Sequence, residues 1–270
     1  MLCGPISVCS GRGNEDSAYA GPHLLAVADG MGGHAAGEVA SAVAITVIAA
    51  LDVEDPGPDL GGVLTSAVAT ASRRLQELVI SDPATEGMGT TLTALLWSRG
   101  DAALCSIGDS RAYLLRNGRL IQITRDHTLV QSLVDQGMIT EQDAVTHPRR
   151  SLLLRALDSR MNAEPDLIPI EAHPGDRYLL CSDGLSGVVS GQALRQVLTA
   201  VRDPDEVTAQ LVSLAIEGGG PDNITCIVAD VIDTGSSRVQ PVFAGAAASR
   251  AVAEQSRPPG GSPRSPRPHR

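Results

Sequence analysis

Four times in this chain a short aliphatic run meets an aspartate flanked by small residues: LLAVADGMGG at Asp29, ALCSIGDS at Asp109, RYLLCSDG at Asp183 and, with the strand following, GGPDNITCIV at Asp222. A strand of that composition is buried, so each carboxylate stands at the edge of a low-dielectric interior, where an ionised acid needs compensation. One such aspartate is most simply a turn or a helix cap. Four in equivalent positions point to a shared cation, and few arginines are adjacent. A hard divalent ion suits these donors, because Mg2+ and Mn2+ take carboxylate, carbonyl and water oxygens and tolerate few protein ligands. Glycine beside the aspartate lets the backbone approach the ion.

Composition removes most other chemistries. All 21 basic residues are arginine, so a Walker-A loop, a Schiff-base site and a kinase-type ATP site are excluded, each needing a lysine ammonium. Trp97, Tyr19, Tyr113, Tyr178 and Phe243 are all the aromatics in 270 residues; base stacking on single strands has little to work with, and the core must be aliphatic. Residues 234–270 carry six arginines against Glu254, a balance of +5, which leaves −15 of the net −10 on residues 1–233. An acidic body repels nucleic acid and anionic lipid and attracts divalent cations.

Cys3, Cys9, Cys105, Cys181 and Cys226 form no CxxC pair and no zinc spacing, and thiols inside apolar runs read as small buried hydrophobes in a reducing compartment. The N-terminus lacks a basic stretch followed by an apolar one, and the longest apolar stretch, Val39 to Leu51, is too short to span a bilayer. We expect a soluble cytoplasmic monomer with no nucleic-acid partner and no membrane span.

Strands are expected at Leu24 to Ala28, Thr91 to Trp97, Ala102 to Ile107, Tyr178 to Cys181 and Ile224 to Val231, from their aliphatic content and polar or glycine boundaries. RAYLLRNGRLIQIT alternates about Asn117-Gly118, a hairpin signature, so antiparallel pairing is present. Helical periodicity marks 36–51, 60–79, 127–137, 191–200 and 204–217, with Asp126 capping the third of these and Gly137 closing it. Strands and helices without regular alternation predict an α+β layered domain over residues 1–233. The Pro-, Arg- and Gly-rich segment 234–270 reads as a disordered tail.

Eight segments in order resemble the metal-dependent protein phosphatases of the protein phosphatase 2C (PPM) type in their bacterial, actinobacterial form: GNEDS (13–17), LLAVADGMGGHAAGE (24–38), EGMGTTLTAL (86–95), IGDSRAYLLR (107–116), ITRDHTLVQSLVDQG (123–137), HPRRSLLLRAL (147–157), RYLLCSDGLSG (177–187) and GGPDNITCIVAD (219–230). The resemblance implies a four-layer αββα sandwich, two antiparallel sheets flanked by helices, with a metal site at one end. It implies two Mn2+ or Mg2+ ions, with Asp29 bridging them, the Gly30 carbonyl on one, and Asp183 and Asp222 completing the pair. Glu15 and Asp16 would hold metal-bound waters, and Asp109 with Ser151 would take a third, weaker ion.

The implied activity is hydrolysis of phosphoserine and phosphothreonine in proteins by in-line attack of a metal-bridging hydroxide, opposing a Ser/Thr kinase. No GxSxG elbow and no strand-end DxD offers a side-chain nucleophile instead; Asp203-Pro-Asp205 lies between helical patterns. Two positions depart from the family pattern. The arginine expected five residues before the aspartate of the NED run is Gly11 here, and Arg12 lies one residue late, as the phosphate-binding candidate. The histidine that follows Asp-Gly in animal members is Met31, leaving His34 or water as proton donor. Residues 125–157 match the family's flap, with Asp135, Glu141, Asp143, Arg149 and Arg150 available to substrate peptide.

Two other readings compete with this one. Gly30-x-Gly32-x-x-Ala35 with Asp52 has the outline of a dinucleotide fingerprint, but Asp29 would repel a pyrophosphate and Asp52 ends a helix rather than a second strand. A catalytically impaired PPM-fold regulatory binding module is the alternative kept open by the displaced arginine.

Overall fold

A strand that is apolar on both faces must be covered on both, and that requirement sets the layering. The computed structural model describes residues 2–9, 14–98, 100–160, 164–232 and 240–249. One antiparallel sheet runs β1 (Leu2–Cys9), β12 (Ile224–Asp230), β11 (Arg177–Cys181), β7 (Arg111–Arg116) and β8 (Arg119–Gln122). The other runs β10 (Asp166–Glu171), β6 (Asp101–Ile107), β5 (Leu92–Ser98), β3 (Leu24–Met31), β2 (Asp16–Ala20) and β13 (Val242–Gly245), with short β4 (Gly89–Thr90) and β9 (Leu157–Asp158) attached beside β3.

The residues of β3 alternate between two cores. Leu25 and Val27 meet Tyr178, Leu180 and Ile227 between the sheets, while Leu24, Ala26 and Ala28 pack outward beneath α1 (His34–Ala49) and α2 (Leu60–Ser81). On the far side Leu179, Cys181 and Val228 lie against Leu194, Leu198, Val207 and Leu211 of α6 (Gly191–Ala200) and α7 (Pro204–Glu217). The result is the expected αββα stack. Side chains such as Leu24, Leu25, Ile45 and Leu104 are fully buried, each contributing about 1.5–3 kcal/mol of burial.

The hairpin is built as its sequence requires: Asn117 and Gly118 take φ 53° and 75°, and Arg116 faces Arg119 across the turn. The short helix α5 (Asp183–Ser186) follows β11 directly, and α3 (Leu129–Asp135) and α4 (Glu141–Thr146) make the 125–157 segment a helical flap. Its return is stitched to its start by Leu129 N–H to Leu152 O at 2.9 Å and Leu154 N–H to His127 O at 2.8 Å. Gly137 does close α3, at φ 69°, with Met138 N–H bonded to Leu133 O at 2.9 Å.

Three local expectations are corrected. Asp126 does not cap α3; Thr128 does, its side chain accepting from Gln131 N–H, because Asp126 is held in a bidentate pair with Arg111. Strands β1, β2 and β10 had no sequence expectation, β10 because only alternate residues are covered and Pro169 interrupts it. Within 234–270, expected to be without structure, Val242–Gly245 instead pairs antiparallel with β2, where Phe243 finds an edge contact on Tyr19, ring centroids 4.8 Å apart; residues 250–270 lie outside the described residues. Among the described residues no helix is long and apolar enough to cross a membrane.

One arginine fastens the outer helices to the first sheet. Arg177 on β11 donates to both carboxylate oxygens of Asp230 at 2.6 and 2.8 Å, and to the carbonyls of Leu198, Val201 and Arg202 at the end of α6. Replacing it with methionine would strand these acceptors while keeping the packing stem; Arg177→Met should lower stability by about 3 kcal/mol, the cost of breaking a buried charge network, read from the midpoint of urea unfolding.

Candidate metal centre

The strand-end aspartates meet because the two sheets end at the same rim. Asp29 lies at the end of β3, and its Cα partner across the ladder is Asp16 at the start of β2. Asp183 opens α5 directly after β11, and Asp222 precedes β12. Asp109 sits in the turn between β6 and β7, where Gly108 at φ 102° approaches Thr91 so closely that a Cβ would stand 2.6 Å from its Cγ2.

Hydroxyl groups tie these turns together, and the sequence reading missed them. Thr91 Oγ accepts the Asp29 N–H at 2.9 Å and shares a hydrogen bond with Ser110 Oγ at 2.7 Å, so the Asp29 and Asp109 turns share one side chain. Thr90 Oγ donates to the Asp29 carbonyl at 2.9 Å. From the other sheet, Ser182 Oγ donates to Asp16 Oδ2 at 2.9 Å while accepting the Thr225 N–H at 3.1 Å. Asn223 Oδ1 accepts the Glu15 N–H at 2.8 Å. The signal available was a serine immediately beside the aspartate in GDS and CSD; Thr90 and Thr91 gave none, lying 61 and 62 residues along the chain from Asp29.

Among the described residues, burial and mutual repulsion of these acids outweigh the one nearby cation, Arg111. Burial raises Asp16 to about 7, the Thr225 and Ser182 hydroxyls oppose it, and Asp183 and Asp222 add repulsion. Asp109 also rises to about 7, from burial and then Asp183. Burial and the neighbouring Asp16 and Asp183 push Asp29 well above the ordinary range; Asp183 is raised by burial and then Asp222, with a hydrogen bond to Asp29 acting the other way. Arg111, the nearby arginine, is committed to Asp126 and the Tyr113 hydroxyl.

Asp16 Oδ1 and Asp183 Oδ1 are buried without a hydrogen-bond partner. Partnerless carboxylate oxygens among mutually repelling acids fit a hard divalent cation. Among the described residues no three His, Cys, Asp or Glu side chains close into a finished cage; Asp222 is exposed and its Oδ1 accepts the Asn223 N–H. Carbonyl and water oxygens would have to complete such a site, as Mg2+ and Mn2+ allow.

The other candidates fall at the edges. Gly30 is needed for packing: a Cβ there would lie 2.1 Å from Gly37 O, so the glycine lets α1 close on β3. Glu15 is half-buried beside that contact. Ser151 is exposed on the flap. His34 opens α1, but its side chain, like Arg12, lies outside the described residues.

With this arrangement in place, the comparisons are decisive. A family model for protein phosphatase 2C matches residues 4–214. The chain belongs to the protein phosphatase 2C family. It is 52% identical over 233 residues to the serine/threonine protein phosphatase PstP of Mycobacterium tuberculosis, which covers 86% of this chain and 45% of PstP. It is 36% identical over 216 residues to the serine/threonine phosphatase stp of Listeria monocytogenes, over 77% of this chain and 84% of that protein. The crystal structure of a PstP catalytic domain in complex with two manganese ions superposes with a TM-score of 0.79 at 49% identity, covering 86% of this chain and all of that one. This protein phosphatase 2C chain therefore spans about half the length of the PstP sequences it matches.

The raised carboxyls carry a sign that can be measured without metal. Asp16 and Asp109 hold protons in the folded chain up to about 7, against an ordinary 3.8, so the folded state binds more protons and stability is lost as pH rises through that window. Buried His127, held below its ordinary 6.5, works in the opposite direction but is one group against several. In chelator the melting temperature should fall between about pH 5 and about pH 8, and saturating Mn2+, which favours ionised carboxylates, should reduce or reverse the fall. A profile that rises with pH in chelator would contradict the assignment.

Proposed function

We propose that the chain is a Mn2+- or Mg2+-dependent phosphoprotein phosphatase that hydrolyses phosphoserine and phosphothreonine. One observation carries the reading: carboxylates from both sheets converge at a single rim, raised by burial and mutual repulsion, with oxygens of Asp16 and Asp183 left unpartnered.

Asp29, Asp183 and Asp222 would hold two ions, with the Gly30 carbonyl as a further oxygen donor. When bound, such a pair lowers the pKa of a shared water and offsets the charge of the phosphoryl group in transfer. The residues of the chain do the positioning. Asp16, locked by Ser182, and Glu15, whose N–H is held by Asn223, orient water at the rim. Thr90 and Thr91 fix the backbone on either side of Asp29. Asp109, hung from the same threonine through Ser110, would take a third ion with Ser151 if the flap brings that residue in. Arg12 is the phosphate-binding candidate, and His34 or water the proton donor to the leaving serine or threonine oxygen.

The substrates are phosphoproteins made by a cognate Ser/Thr kinase, and the protein works as a monomer in the cytoplasm. The rival reading, an impaired member that binds without turnover, is disfavoured because Asp29, Asp183 and Asp222 are all present. Hydrolysis of a phosphothreonine peptide with and without Mn2+ separates them. Activity should require the ion, and Asp183→Asn should reduce kcat by about a hundredfold or more, the scale of losing charge stabilisation at a reacting centre. Wild-type protein inactive with Mn2+ supports the binding module; equal rates in every condition reject the two-ion mechanism.

A further inference from the structure

The last strand lies beyond the residues matched by the family model, and it is laid on the strand that begins with Asp16. Val242, Phe243, Ala244 and Gly245 face Ala20, Tyr19, Ala18 and Ser17. At the end of this ladder the segment passes against the site itself. Gly245 has φ 67°, and a Cβ there would stand 2.1 Å from the Asp16 carbonyl oxygen, so a side chain at this position would prevent the approach. Ala246 and Ala247 then turn into the core beneath α1, 5% and 1% exposed.

From Ala247 a line of hydrogen bonds with only one consistent direction reaches the rim. The Ala247 N–H donates to Ser17 Oγ at 3.1 Å. Ser41 Oγ, on α1, donates to the Glu15 carbonyl at 2.5 Å, so the 2.9 Å contact between the two hydroxyls must run from Ser17 to Ser41. The Glu15 carbonyl also accepts the Gly30 N–H at 3.2 Å. Both serines are fully buried, and buried chains of this kind polarise one another.

We infer that residues 242–247 are a positioning strap: their docking holds the backbone of Glu15, Asp16 and Gly30 in the arrangement the proposed ion site uses, so strap docking and ion binding are coupled. The inference rests on the metal-site reading above. Coupling is reciprocal: a docked strap raises ion affinity, and a bound ion holds the strap down.

Hydrogen exchange on the full wild-type chain tests the second half directly. Mn2+ should slow exchange of the amides of residues 242–247 while leaving the distant hairpin strand β8 unchanged; no slowing at the strap overturns the proposal. Ala247→Pro tests the first half, because it deletes the donor to Ser17, although it also places a ring where the alanine side chain is buried. Calorimetric Mn2+ affinity should weaken about fivefold or more, the lower end of measured couplings between sites, and unchanged affinity overturns the proposal even if the variant melts earlier. Asp183→Asn serves as the arm for the site: if it binds Mn2+ as tightly as wild type, the metal-site reading fails, whereas loss of binding there with full binding in Ala247→Pro rejects the strap alone. Should Ala247→Pro not fold, the wild-type exchange measurement decides.

Discussion

Several carboxylates buried within reach of one another repel, and each also loses hydration, a cost that no ordinary pairing inside a domain returns. In this chain Asp16, Asp29, Asp109 and Asp183 are held in that condition, and much of the surrounding structure is explained by the need to keep them there. The two sheets end at one rim so that acids from both can meet. Ser182 and Asn223 lace one sheet to the other across that rim, and Thr91 joins two of its turns. Glycines at 30 and 108 allow backbones to approach where side chains would force the turns apart.

The distribution of positive charge follows the same logic. Arg111, Arg116, Arg155 and Arg177 are each engaged by an aspartate, at Asp126, Asp176, Asp166 and Asp230 respectively. They brace the hairpin, the flap base and the outer helices rather than the acid cluster. A guanidinium suits such work, since its planar fork meets a carboxylate through two bonds at once. With lysine absent and the neighbouring arginines among the described residues occupied, a cation from solution is the natural compensation at the rim.

The layered fold was legible in the sequence because strands apolar on both faces leave few architectures open, and β3, β5, β11 and β12 are such strands. The hairpin was legible because Asn117-Gly118 is local chemistry. Asp29, Asp109 and Asp183 were legible because an acid at the end of an aliphatic run is conspicuous. What escaped depends on tertiary partners. Asp126 looks like a helix cap until Arg111 is placed beside it. Ser182 and Ser17 are unremarkable letters whose importance comes from residues far away in the chain. Strand β13 is a short run in a Pro- and Arg-rich segment, and only the edge of β2 and the ring of Tyr19 make it a strand.

Those distances along the chain have a consequence for assembly. The bond from Ser182 to Asp16 closes a loop of 166 residues, that from Glu15 to Asn223 one of 208, and that from Ala247 to Ser17 one of 230. Contacts of such separation form late, because loop-closure entropy has to be overcome before they give anything back. The part of the rim carried by Asp16, Asp29 and Asp109 is therefore complete only once Ser182 and Asn223 are in place. Completion of the centre thus joins the segment at residues 15–17 to segments around residues 182, 223 and 247.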